Sequence, residues 1–157
     1  MTGESVLSDG YITHSILQIQ RLKACYFRFV DTKNWNELAD LFTPDALLWF
    51  AEHEDKAIPF ASALKNNIQK ILTGATSTHH GHMPEIEVVS ETTATGIWPM
   101  ESRVYWPNNQ ASIGLVFSHG YGHYHENYVK QDGKWRIHRL RLTQLWKQNI
   151  PVPLAVA

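Results

Sequence analysis

The chain has little with which to hold a polyanion, brace itself covalently or cross a membrane. Its 157 residues include one cysteine, Cys25, so no internal disulfide can form, and a reducing, cytoplasmic setting is expected. Charged side chains make up only 18% of the sequence and nearly cancel, leaving a net charge of -1. An average soluble domain carries ~25%. No Lys/Arg cluster occurs, which removes the electrostatic footprint of a nucleic-acid binder. No apolar run approaches the ~20 residues of a membrane span, and Met1 to Gly10 lacks the basic-then-apolar pattern of an export signal. Neither a Gly-rich phosphate loop nor a Gly-x-Ser-x-Gly elbow is present. What the chain has instead is aromatic: six Trp, six Tyr and six Phe. It is long enough for one domain with a buried core.

Residues 1–10 read as a loose tail, 11–148 as the domain and 149–157 as an extended apolar tail. From about Thr13 to Val30, Ile16, Ile19, Leu22, Tyr26, Phe29 and Val30 recur at helical spacing, with Gln20, Lys23 and Arg28 between them. A short helix follows: Asn34 can cap it, Glu37 can reach back, and Thr43-Pro44-Asp45 stops it. Ala46 to Phe50 reads as a strand. Pro59 opens a third helix carrying Phe60, Leu64, Ile68, Ile71 and Leu72, which Gly74 ends. Strands are then expected at Glu85–Val88, at about Thr93–Trp106 with Pro99 marking an edge or bulge, and at about Ser112–Lys130. Pro107-Asn108-Asn109 is a turn, Asp132-Gly133 a hairpin turn, and Trp135 to Trp146 the last strand. Helices first and then a meander of long bent strands predicts α+β, with a curved sheet enclosing a conical pocket around the first helix.

Several residues carry possible chemistry. Asp31 closes the first helix at the negative end of its dipole, so something positive or hydrogen-bonding should compensate it; it could equally serve the turn from Thr32 to Asn34. His79 and His80 are strand neighbours and point to opposite faces, so only one can face a cavity. His123 and His125 can share a face with Tyr121 and, further along, His119. That wall would line a pocket or a subunit interface; Glu126 points the other way, which makes a metal site poorly spaced. Cys25 reads as a buried thiol.

The stretches Tyr26-Phe27-Arg28-Phe29-Val30-Asp31, Thr78-His79-His80-Gly81-His82-Met83-Pro84 and Asp132-Gly133-Lys134-Trp135 resemble the SnoaL-like branch of the NTF2-like superfamily, and within it bile acid 7α-dehydratase and scytalone dehydratase. The likeness spans about residues 12 to 146. It implies a conical α+β barrel with three helices and an apolar pocket, assembled as a homodimer or homotrimer. It also implies a catalytic trio of His79, Asp31 and Tyr26, with neither metal nor organic cofactor. A pocket tyrosine of the bile acid enzymes falls at Phe50, an acidic residue at Ser102, and a second barrel histidine of scytalone dehydratase near Val104.

The expected chemistry is elimination. His79, held by Asp31, removes an activated C–H proton and returns it to the leaving group, while Tyr26 donates to developing negative charge. Trp49, Phe50, Trp98, Ser102, Tyr121 and His123 are the candidate substrate contacts. They suit a small apolar molecule such as a steroid, a polyketide or a lignin-derived aromatic. An isomerase or polyketide cyclase on the same scaffold, and a non-catalytic binding or assembly module, are the alternatives.

Overall fold

The computed structural model describes residues 7–51, 55–107 and 114–153. Helix α1, Asp9–Asp31, starts where the Ser8 side chain accepts the Tyr11 N–H at 3.2 Å. It buries Ile19, Leu22, Lys23, Tyr26 and Val30 on one face. Its end is a turn in which Lys33 takes a positive φ of 60°. Helix α2, Trp35–Ala39, follows; Asn34 holds the N-cap position, but no side-chain cap bond forms, contrary to the expected capping box. The chain then enters strand β1, Phe42–Trp49, earlier than expected. Thr43-Pro44-Asp45 sits within it, where the pairing register shifts between Phe42 and Leu47.

Strand β2, Ile58–Pro59, leads into helix α3 (60–72), built from α turns at Phe60–Ala63 and Gln69–Leu72 around a π-helical turn, Leu64–Ile68. The sequence explains the π turn. Phe60, Leu64, Ile68 and Leu72 recur every fourth residue, a spacing that drifts by about 40° per step around an ideal α-helix. A wider turn in the middle returns them to one face. Ile71, expected among them, is instead half-exposed. Gly74, at φ 75°, ends the segment.

Strands β3 (Thr76–Gly81), β4 (Glu85–Val88), β5 (Thr93–Tyr105), β6 (Leu115–Gln131) and β7 (Lys134–Pro151) complete the sheet. Its order is β2-β1-β7-β6-β5-β3, with β4 also on β5, and every pairing is antiparallel except β1 with β7. The sheet curls around α1 without closing. The β6–β7 turn has positive φ at both Asp132 and Gly133, as an Asp-Gly hairpin requires. The turn expected at Pro107-Asn108-Asn109 lies mostly outside the described residues, as does Ser112.

Pro99 is neither at an edge nor at a bulge. β3 pairs with Met100–Tyr105 and β4 with Ala94–Ile97, so Pro99 falls where one neighbour hands over to the other. Gly122 marks a different device, the register shift between Tyr121 and Gly122 that bends β6 against β7. A Cβ at Gly122 would lie 2.0 Å from the Thr143 carbonyl oxygen, a backbone atom that cannot swing away. Gly122→Ala is therefore expected to destabilise the fold by at least ~1–3 kcal/mol, read as a lower urea midpoint.

Candidate active site

Asp31, the last residue of α1, points at the inner face of β3. Its Oδ1 lies 2.7 Å from His79 Nδ1, and its Oδ2 accepts the His79 backbone N–H at 2.8 Å. The Ser77 hydroxyl donates to Oδ1 at 2.9 Å, and Lys33 Nζ donates to Ser77 Oγ at 2.7 Å. A carboxylate at a helix C-terminus thus gains donors that offset the unfavourable dipole. Burial pushes the Asp31 carboxyl up, but the His79 side chain and backbone, together with Ser77, outweigh it and hold it below the usual carboxylate value. With the carboxylate ionised, the shared hydrogen belongs to Nδ1, leaving the Nε2 lone pair of neutral His79 free.

His79 lines a cavity of about 150 Å³ between α1, α3 and the sheet. Its walls are largely apolar, with Val30, Phe50, Ile68, Met100 and Leu142 contributing. Among the described residues, the polar groups there are His79, Ser102, Tyr26 and Tyr124. Ser102 is directly across the β3–β5 ladder from His79. Tyr26 and Tyr124 meet edge to face at 5.9 Å, their hydroxyls within hydrogen-bonding reach of each other. Burial, and then the charges around them, push both phenols well up, so they stay protonated and can donate.

Behind these tyrosines lies an ion pair with no solvent exposure. Lys23 is hydrogen-bonded to Glu126, which also accepts the Tyr128 hydroxyl; the Trp98 indole N–H in turn donates to Tyr128 at 2.8 Å. The Lys23 ammonium stands 4.0 Å from the Tyr26 ring centroid and 3.9 Å from that of Tyr124. Burial lowers the Lys23 pKa, against the pull of Glu126. Lys23, read from sequence as a polar residue between apolar ones, is therefore a core residue of α1.

The sequence candidates separate into groups. His79, Tyr26, Phe50 and Ser102 line the cavity, and Asp31 stands behind His79, hydrogen-bonded to it. Trp98 is buried nearby, tied to Tyr128, but does not line it. Trp49 follows inward-facing Leu48 on β1, and strand alternation turns it away. Tyr121 and His123 belong to the outer face of β6, where they line a shallow groove with Pro99, Glu101 and His119. His80 is exposed, and Cys25 is only partly buried, contrary to the buried thiol expected. Ser77, Lys33, Tyr124 and the Lys23–Glu126 pair were not anticipated. Alternation alone puts Ser77 on the face of His79.

The outer wall has its own contacts. Glu101 binds His119 at 2.7 Å and Arg103 at 2.9 Å, and Tyr121 stacks on Trp146 at 5.3 Å. His123 and His125 rings are 6.2 Å apart. Burial lowers the His125 pKa, and His123 and Arg141 add to that. Among the described residues, no three His, Cys, Asp or Glu side chains converge as a metal site would need. None of the described helices is long and apolar enough to cross a membrane.

Helices packed inside a curled, unclosed sheet form the NTF2-like arrangement. Residues 12–141 match the SnoaL-like domain, and the chain belongs to that family. A protein of Gibberella zeae named as a probable cyclase is 27% identical over 141 residues, covering 82% of this chain and 91% of that protein. Among solved structures, a protein of Novosphingobium aromaticivorans named as a candidate scytalone dehydratase superposes with a TM-score of 0.75 at 23% identity, covering 92% of this chain and 96% of that one. A hexachlorocyclohexane dehydrochlorinase from Novosphingobium barchaimii gives 0.74 at 18%, covering 96% and 99%. At these identities the structural likenesses speak to the fold alone.

The Asp31 network has a consequence for acid stability. Its carboxyl binds a proton less readily folded than unfolded, so it stabilises the fold above the ordinary carboxylate value. That contribution disappears as pH falls through the lowered folded value. Asp31→Asn is expected to flatten this part of the acid-unfolding curve, measured by circular dichroism from neutral pH downward.

Proposed function

We propose that this chain is a cofactor-independent lyase that expels water, or a comparable small leaving group, from a small, uncharged, cyclic or aromatic molecule. The observation that carries the reading is the Asp31–His79 pair, with Nδ1 engaged and the ring lining an apolar cavity. In the reaction, His79 Nε2 takes a proton from a carbon next to, or conjugated with, a carbonyl. The C–H electrons become the new double bond as the C–O bond breaks. The departing hydroxide recovers the proton from His79 and leaves as water, so the imidazole ends as it began. Tyr26, with Tyr124 beside it, donates to the carbonyl oxygen while negative charge develops there.

Size and charge narrow the substrate. A cavity of about 150 Å³ is comparable to one that accommodates a benzene ring. A single ring with few substituents therefore fits better than a steroid. Among the described residues no Lys or Arg lines it, which disfavours an anionic ligand. Phe50 and Ser102 are the remaining contacts we assign to substrate. A second reading, isomerisation or cyclisation, draws support from the cyclase name of the Gibberella zeae relative and shares the first proton abstraction.

The test is product analysis by mass spectrometry on a panel of single-ring β-hydroxy ketones, lignin-type aromatics, polyketides and steroids. Loss of water from a panel member supports the lyase. No loss of water, with solvent deuterium incorporated when the reaction is run in heavy water, supports the isomerase, and saturable binding without turnover supports a binding module. Self-association, expected as a dimer or trimer, is assigned to the outer face, where Tyr121, Leu145, Trp146 and Ile150 are exposed. A monomer by light scattering would overturn that assignment.

A further inference from the structure

We propose that Lys33 and Ser77 are positioning residues, forming a one-way hydrogen-bond relay that keeps Asp31 ionised and holds His79 in the tautomer with a bare Nε2. The relay stands on geometry alone; its effect on turnover rests on the lyase reading above.

The direction follows from donor and acceptor chemistry. An ammonium has hydrogens and no lone pair, so Lys33 Nζ, 2.7 Å from Ser77 Oγ, must donate to it. Ser77 then spends a lone pair on Lys33, and its single hydrogen goes to Asp31 Oδ1, 2.9 Å away. The other Asp31 oxygen holds the His79 backbone N–H at 2.8 Å. A carboxylate supplied in this way has little tendency to take a proton of its own. The hydrogen in the 2.7 Å contact between Oδ1 and Nδ1 therefore stays on the ring. Rotation of the Ser77 hydroxyl would loosen this assignment, and Lys33 is what prevents that rotation.

The backbone gives an independent sign. Lys33 sits just beyond the C-cap of α1 at φ 60°, the left-handed conformation that glycine adopts without strain. From there its side chain folds back to Ser77 and to the Asp31 carbonyl oxygen at 3.1 Å. A lysine at such a position is conformationally unfavourable, and here its ammonium is delivered to the Ser77 hydroxyl that touches Asp31. Burial lowers the Lys33 pKa while Asp31 pulls it up. Among the described residues, the other titratable groups that face Asp31 are His79 and the uncharged phenols Tyr26 and Tyr124.

Carbon-13 NMR of the Asp31 carboxyl, titrated in the full chain, tests this without any substrate. Ser77→Ala and Lys33→Gly should both move its midpoint upward. Nitrogen-15 spectra of neutral His79 should show one Nδ1-protonated tautomer in the native chain, because an ionised Asp31 can only accept. Lys33→Gly should leave thermal stability equal or higher, because glycine suits the backbone there, so its effect on the titration cannot come from misfolding. Once a substrate is known, Ser77→Ala should lower kcat about tenfold with KM little changed, the scale of one lost hydrogen bond to a charge. Unmoved Asp31 midpoints in both variants, or an Nε2-protonated native His79, would overturn the relay. Failure on the substrate panel alone would overturn only the lyase.

Discussion

His79→Gln is expected to lower kcat by ~10²–10⁴-fold while the protein still folds and still binds a ligand in the cavity. That range is the usual contribution of a positioned general base. Glutamine fills similar space and can hydrogen-bond to Asp31, but its amide nitrogen has no basic lone pair. Asp31→Asn should be comparably severe by a different route. An amide in place of the carboxylate can present its NH2 group to Nδ1, which would force the ring hydrogen onto Nε2 and remove the base. Tyr26→Phe should do less, because Tyr124 adjoins it and can supply a hydroxyl. The measurement is steady-state kinetics on the best panel compound, with ligand binding followed by fluorescence of the tryptophans. Full turnover in His79→Gln would mean that this pair is not the chemical centre. Intact binding with no turnover in either protein would favour a carrier.

What was legible in the sequence was what short-range pattern determines. The buried face of α1, the Asp-Gly hairpin and the glycine stop after α3 all follow from local spacing or backbone preference. The choice of His79 over His80 did not: alternation says that one of them faces inward, and only the family resemblance said which. The structure puts His79 across from Ser102 on the inner face, and exposed His80 across from Glu101 on the outer one. Lys23 was misread although its position was informative. It stands four residues after Ile19, three before Tyr26 and seven before Val30, on the same stripe as these buried residues. What hid its role was Glu126, distant in the chain, without which a buried lysine makes no physical sense. The same holds for Ser77 and Lys33. Each is ordinary alone, and only the fold places both against Asp31.

The Lys23–Glu126 pair should carry the largest effect on stability. Both side chains are fully shielded from solvent, so removing one partner strands a charge in a medium that solvates it poorly. Lys23→Met is expected to cost ~3–5 kcal/mol, the range for breaking a buried ion pair from one side. At ~2–4 °C per kcal/mol for a domain of this size, Tm should fall by roughly 6–20 °C. Glu126→Gln should be similarly damaging; its side-chain oxygen can still accept from Tyr128, so the loss would come chiefly from an unpaired Lys23. The double variant Lys23→Met, Glu126→Gln leaves no buried charge and should recover much of the loss, giving a coupling energy of the kind a double-mutant cycle measures. The sign of the pH dependence can also be checked. Because burial outweighs Glu126, the folded chain holds the Lys23 proton less tightly than the unfolded chain, so the unfolded state binds more protons. Stability from this residue should therefore rise with pH from the lowered folded value up toward 10.5, and this rise should vanish in Lys23→Met. Simple additivity of the two single losses would show that the pair is a coincidence of position. Recovery in the double variant would show that the charges are held for each other, beneath the two rings that line the cavity.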